Sequence, residues 1–252
     1  MIESYSLSDT GCARQDNQDR VLTDHSLGLF IVADGMGGHK HGEKAAEIAI
    51  DTMKYYMESS RERFDVTWPF GYNFDLSVDA NRLSTGIQLA NRHVWNYAEQ
   101  ASEFSGMGTT VAAALLCGDS SVIGNVGDSR VYLFRQGELQ LITLDDSFIN
   151  AVAAPGSLGE KDFVNSPMRN VLTQAAGAEG PLDVHISELK LESNDLLLLC
   201  SDGLHAVIGD AAIRSIVGSG GTVEHLAGRL VAAARVNGAP DNVSCVLIAY
   251  EM

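Results

Sequence analysis

Three carboxylates stand where apolar stretches of the chain end. Phe30-Ile31-Val32-Ala33 runs into Asp34-Gly35-Met36-Gly37-Gly38, Leu196-Leu197-Leu198-Leu199-Cys200-Ser201 runs into Asp202-Gly203, and Asp241-Asn242 precedes the closing stretch Val243 to Tyr250. A carboxylate at the end of a buried strand is held on a rigid support, and a glycine beside it lets a ligand approach the bare backbone carbonyl. Singly, such an aspartate is most often a turn former. Three of them, with no His or Cys at ligand spacing, describe an all-oxygen site suited to Mg²⁺ or Mn²⁺ rather than to zinc.

A second polar group, Arg14-Gln15-Asp16-Asn17-Gln18-Asp19-Arg20, precedes the strand-like Val21-Leu22. It reads either as a solvated turn or as a phosphate site, because a guanidinium grips phosphate through a bidentate fork that lysine cannot form. Gly127-Asp128-Ser129-Arg130 offers a further acid at a strand end. Nucleotide loops fit poorly. The frame from Gly37 to Gly42 continues as Glu43-Lys44 instead of Lys followed by Ser or Thr, and G-x-G-x-x-G from Gly35 would need glycine where Lys40 stands. None of the four cysteines has an arginine six positions on, which excludes a C-x5-R cysteine phosphatase loop.

Short aliphatic and β-branched runs supply the strands that would carry these groups: 27–33, 109–117, 121–125, 131–135, 139–143, 184–191, 195–200 and 243–250. Gln136-Gly137 is short enough to close a hairpin, which disfavours a purely parallel sheet. Helical spacing appears in Ala46, Ala49, Ile50, Met53 and Met57, in Ile87, Ala90, Val94, Ala98 and Ala101, and in Leu226, Leu230 and Ala233. That order, strands, two helices, many strands, a helix and a last strand, fits segregated α+β layers better than a βαβ alternation. Two connections, 61–80 with its five aromatics and 148–169, are long enough to be functional or mobile.

Composition narrows the function classes. The 252 residues, 45% apolar and 20% charged, suit one domain spanning 1–252 with a sizeable core. A net charge of −16 sets the chain against nucleic acid and anionic lipid. No apolar run approaches the length of a membrane span, and Met1-Ile2-Glu3-Ser4-Tyr5 lacks the features of a secretory signal, so a cytoplasmic protein is expected; a monomer is expected as well. The scattered cysteines Cys12, Cys117, Cys200 and Cys245 read as buried free thiols.

Taken in order, Arg14-x-x-Asn17-x-Asp19, Asp34-Gly35-Met36-Gly37-Gly38, Gly106-Met107-Gly108-Thr109-Thr110, Gly127-Asp128-Ser129-Arg130, Asp145-Asp146-Ser147, Ser201-Asp202-Gly203 and Asp241-Asn242 resemble the protein phosphatase 2C family, bacterial branch, from about residue 4 to residue 250. The resemblance implies an αββα sandwich, two antiparallel sheets flanked by helix pairs, and a metal-dependent phosphatase that removes phosphate from phosphoserine and phosphothreonine of proteins with a metal-activated water. It also implies a Mn²⁺ or Mg²⁺ centre of two core ions and a weaker third. By motif, Asp34 bridges the core ions, Gly35 lends its carbonyl, Asp202 and Asp241 complete one ion, and Asp19 serves the other. Asp128, with Asp202, matches the third ion beside a mobile flap at about 148–169, and Arg14 matches the arginine that holds substrate phosphate.

The chain departs from the family pattern at Gln18, where many members carry Glu, at Asp146 within Asp-His-Ser, and at Ser166, where His-Pro is common. No residue is marked as general acid, and His39, the nearest histidine to Asp34, reads as an exposed residue at a helix start. Two other readings share these motifs: a catalytically weak signalling or binding module of the same fold, and a phosphatase for small phosphorylated metabolites.

Overall fold

The computed structural model describes residues 1–37, 41–61, 67–152 and 171–251. The chain runs β1 (Ile2–Asp9), β2 (Asp19–Asp24), β3 (Leu29–Met36), α1 (His41–Ser60), α2 (Val78–Ala98), β4 (Gly108–Thr109), β5 (Val111–Cys117), β6 (Ser120–Val126), β7 (Arg130–Arg135), β8 (Glu138–Leu141), α3 (Phe148–Val152), β9 (His185–Lys190), β10 (Asp195–Cys200), α4 (Asp202–Val217), α5 (Val223–Val236) and β11 (Val243–Tyr250). Two sheets form, one ordered β1-β11-β10-β7-β8 and the other β2-β3-β5-β6-β9, with β4 paired to β3. Every pairing in both is antiparallel.

The period of two in the strands sorts their side chains into three apolar layers. Phe30, Val32, Ala112, Ala114, Val131, Leu197, Leu199 and Val246 meet between the two sheets. The alternate residues Leu29, Ile31, Ala33, Ala113 and Leu115 face outward onto Ile50, Met53, Leu83 and Ile87 of α1 and α2. On the far side, Tyr132, Leu198, Cys200 and Leu247 pack against Leu204, Leu226 and Leu230 of α4 and α5. Strands buried on both faces explain why Leu196 to Cys200 is apolar without alternation. The αββα sandwich is the expected architecture.

Several details differ from the sequence reading. β1 has few apolar residues, because it is an edge strand whose Tyr5 and Leu7 alone turn inward toward α5. α4 lacks clean periodicity because Gly209, at φ 71° and ψ 162°, breaks it into two pieces. Cys12 is exposed and Cys117 half-buried, which corrects the expectation of four buried thiols; Cys200 and Cys245 are buried, and all four are free. In the aromatic connection, Asn81 of α2 donates to the carbonyls of Asn73 and Ser77 (2.9 Å each), fastening residues 73–77 to the helix. Of the flap expected at 148–169, only Phe148–Val152 belongs to the described residues, and His39 and Ser166 lie outside them.

Candidate metal centre and active site

Antiparallel order brings the C-terminal ends of β1, β3, β6 and β10 and the N-terminal ends of β2, β5, β7 and β11 to one edge of the sandwich. All the acids singled out in the sequence sit there. Asp19 opens β2 and stands directly opposite Asp34 in the β2–β3 register. Asp202 begins α4 immediately after β10, Asp241 immediately precedes Asn242 at the mouth of β11, and Asp128 occupies the turn between β6 and β7.

Backbone packing holds Gly35 in place. A Cβ on Gly35 would lie 2.0 Å from the carbonyl oxygen of Gly42, and one on Gly42 would lie 2.5 Å from the Gly35 carbonyl. The first turn of α1 therefore rests directly on the end of β3, an approach only two glycines permit. Gly203 does the same for α4: a Cβ there would meet the carbonyl oxygen of Asn242 at 1.9 Å.

Polar side chains fix the remaining elements. Buried Asn242 donates to the carbonyls of Thr10 (2.9 Å) and Asp16 (3.0 Å) and accepts from the Gln18 amide (2.8 Å), riveting the 10–18 loop to β11. The Ser201 hydroxyl donates to Asp19 Oδ2 at 2.8 Å and accepts from the Ser244 amide at 3.0 Å, which joins the two sheets through the site. Thr110 Oγ1 accepts from the Asp34 amide (3.0 Å), while the Thr110 amide donates to the Asp34 carbonyl (2.9 Å). The backbone of Asp34 is thus held at both its amide and its carbonyl by one residue.

The carboxylates are under electrostatic stress. Desolvation, then the charges of Asp19, Asp202, Asp128 and Asp241, push the Asp34 carboxyl well above the usual carboxylate range. Desolvation likewise raises Asp19 to about 6, against the nearby Ser244 and Ser201 hydroxyls that lower it, and raises Asp128 to about 7, with Asp202 and Asp145 adding repulsion. Asp202 moves in the same direction, through desolvation first and then Asp241. Asp19 Oδ1 and Asp202 Oδ1 are buried and accept no hydrogen bond. Buried, crowded anions with vacant lone pairs are what a hard divalent cation satisfies, so these residues fit the metals the family implies. Among the described residues no three of them close around one point as a finished ligand set.

Arg14 lies where the sequence placed it, beside the acids, but its fork is engaged. Nε and a terminal nitrogen donate to the two oxygens of Asp241 at 2.9 and 2.8 Å. The pair is open to solvent, with side chains 57% and 37% exposed, so it is easily exchanged for another anion.

Asp145 and Asp146 serve the neighbouring structure. Arg130 forks onto Asp145 (2.8 to 3.1 Å), and Asp146 accepts from the Gly127 amide (2.9 Å) and from Gln174 Nε2 (3.2 Å), with His185 Nε2 2.8 Å away. Sequence reasoning overlooked the glycine contact at Gly42, the Ser201 bridge and His205. Gly42 and Ser201 lay within the quoted stretches as signals; nothing in the sequence marked His205.

Known proteins share this sequence pattern and this fold. The sequence profile of the protein phosphatase 2C family matches residues 5–237. A serine/threonine phosphatase, stp, of Listeria innocua serovar 6a is 31% identical over 248 residues, covering 96% of this chain and 93% of the relative. The solved S. agalactiae serine/threonine phosphatase superposes with a TM-score of 0.86 at 31% identity, covering 100% of both chains. The catalytic domain of the serine/threonine protein phosphatase PstP, solved in complex with two manganese ions, gives a TM-score of 0.81 at 27% identity over 100% of this chain and 99% of that one. The chain belongs to the protein phosphatase 2C family and is a metal-dependent protein phosphatase.

Proposed function

We propose that the protein, acting as one catalytic domain over residues 1–252, hydrolyses phosphoserine and phosphothreonine in partner proteins at the edge that gathers Asp19, Asp34, Asp128, Asp202 and Asp241. The observation that supports this reading best is the pair of buried, unpartnered oxygens, Asp19 Oδ1 and Asp202 Oδ1, within a set of mutually repelling carboxylates. Asp34, the Gly35 carbonyl, Asp202 and Asp241 would hold one Mn²⁺ or Mg²⁺, Asp34 and Asp19 the second, and Asp128 with Asp202 a weaker third. When bound, the ions supply Lewis acidity that makes water nucleophilic near neutral pH and neutralises phosphoryl oxygens.

The chain's own groups do the rest. Ser201, Thr110 and Asn242 keep the ligands in place through bonds that do not depend on metal. Arg14, released when Asp241 turns to a cation, presents the same bidentate fork to the substrate phosphate. In a protein of net charge −16 that fork is a needed local attraction for a phosphate dianion. Among the described residues no helix is long and apolar enough to cross a membrane. We read the protein as cytoplasmic from its four free cysteines, and as a monomer because one chain supplies every acid at that edge.

The test is phosphate release from a phosphothreonine peptide by protein stripped with chelator and reconstituted with Mn²⁺ or Mg²⁺. Release should require the ion. Equal release in chelator would refute the reading.

A further inference from the structure

The two carboxylates assigned to the weaker third ion sit on separate elements, Asp128 on the β6–β7 turn and Asp202 at the start of α4. One side chain joins those elements beside both acids. His205, three residues after Asp202 on the first turn of α4, is 7% exposed, and its Nε2 lies 3.0 Å from the carbonyl oxygen of Asp128. A carbonyl only accepts, so Nε2 carries the proton and donates.

The turn is held on its other flank as well. Asp146 accepts from the Gly127 amide, and its own amide donates to the Gly127 carbonyl, each at 2.9 Å. The turn is thus gripped at Gly127 by residue 146 and at Asp128 by His205. Among the described residues, the His205 bond alone connects that turn to the first turn of the helix that begins with Asp202. Farther along α4, past the break at Gly209, Asp210 accepts from the Tyr132 hydroxyl at 2.8 Å, which ties the helix to β7 without touching the Asp128 turn.

We propose that His205 is a positioning residue for the third ion: its bond to the Asp128 carbonyl sets the separation of Asp128 from Asp202 and so the affinity of that site. The inference rests on the third-ion reading given above. Groups that orient metal ligands typically change metal affinity by about 10- to 100-fold when removed.

The test is a calorimetric Mn²⁺ titration of the full chain, with thermal unfolding of the same samples. Wild type should show two tighter ions and one weaker ion, and Asp128→Ala should lose the weaker one. His205→Leu keeps the apolar packing but removes the donor; it should weaken the third ion by roughly tenfold or more while leaving the two tighter ions in place. His205→Gln, which can offer an amide N–H at similar reach, should restore most of that affinity. If His205→Leu binds the third ion like wild type, or if Leu and Gln variants lose it equally, the positioning role is wrong while the third-ion reading stands. A wild-type protein that binds two ions only, unchanged by Asp128→Ala, overturns that reading and this inference together.

Discussion

Asp19 and Asp34 are direct cross-strand partners in the β2–β3 register, two carboxylates opposed at the buried end of a sheet. Like charges in that relation destabilise a strand pair. Ser201 relieves one oxygen of Asp19, and the other has no hydrogen-bond partner. The arrangement costs folding free energy that a bound cation would return. Asp19→Asn should therefore raise the melting temperature of chelator-treated protein by roughly 2–5 °C and shrink the further rise that Mn²⁺ gives the parent. Differential scanning fluorimetry with and without Mn²⁺ checks this; a lower melting temperature without metal would show that the opposed pair is not a source of strain.

The raised carboxyls also fix a pH dependence. Asp19 at about 6 and Asp128 at about 7 bind protons more tightly in the folded chain than unfolded aspartates, whose ordinary value is 3.8. The folded state then holds more protons between those values, so stability is greatest below pH 4 as far as these groups are concerned and is lost as pH rises toward 7. Chelated protein should lose roughly 5 °C or more in melting temperature from this source between pH 5 and pH 7.5, and saturating Mn²⁺ should cancel most of that loss. A metal-free melting temperature that climbs steadily over that range would contradict the assignment.

How far the site was legible in the sequence follows from how its parts are made. Asp34, Asp202 and Asp241 could be read because each ends or begins an apolar run, and strand ends in an antiparallel sandwich converge on an edge. The acids of 14–20 and 127–130 became interpretable only as members of an ordered family pattern. The Arg14 fork onto Asp241 joins residues 227 apart in the chain, and no local signal marks it. α4 went unread because Gly209 interrupts its period, and β1 because an edge strand with two inward side chains resembles a polar tail. Gly42 was weighed as part of a phosphate loop, whereas its use is steric.

That steric use is open to test. A methyl group on Gly42 would come within 2.5 Å of the Gly35 carbonyl and 2.8 Å of Gln18 Oε1. Gly42→Ala should push α1 off the end of β3, destabilise the fold by roughly 1–3 kcal/mol and raise the Mn²⁺ concentration needed for half-maximal activity. Urea unfolding and a Mn²⁺ activation curve would show both effects. An unchanged activation curve would mean that Gly35 is held by something other than this contact.

Arg14→Ala removes a charge-assisted fork that is solvent-exposed and contributes little to stability. The expected loss is in substrate binding: kcat/KM for a phosphothreonine peptide should fall roughly 10- to 150-fold, carried mainly by KM, with Mn²⁺ stoichiometry unchanged. Kinetics alongside a metal titration decide it. Loss of an ion from the titration would reassign Arg14 to holding Asp241.

On the proposed reading, the facing carboxylates form a metal centre in which Asp34 serves two ions at once. The most direct measurement is the rate of phosphate release from a phosphothreonine peptide by Asp34→Asn at saturating Mn²⁺, compared with the parent protein in the same assay. An amide cannot replace a carboxylate shared by two cations, so the rate should fall by at least about a hundredfold, to near the level of chelated parent. A variant that retains the parent's rate would rule out a carboxylate shared by two ions at Asp34.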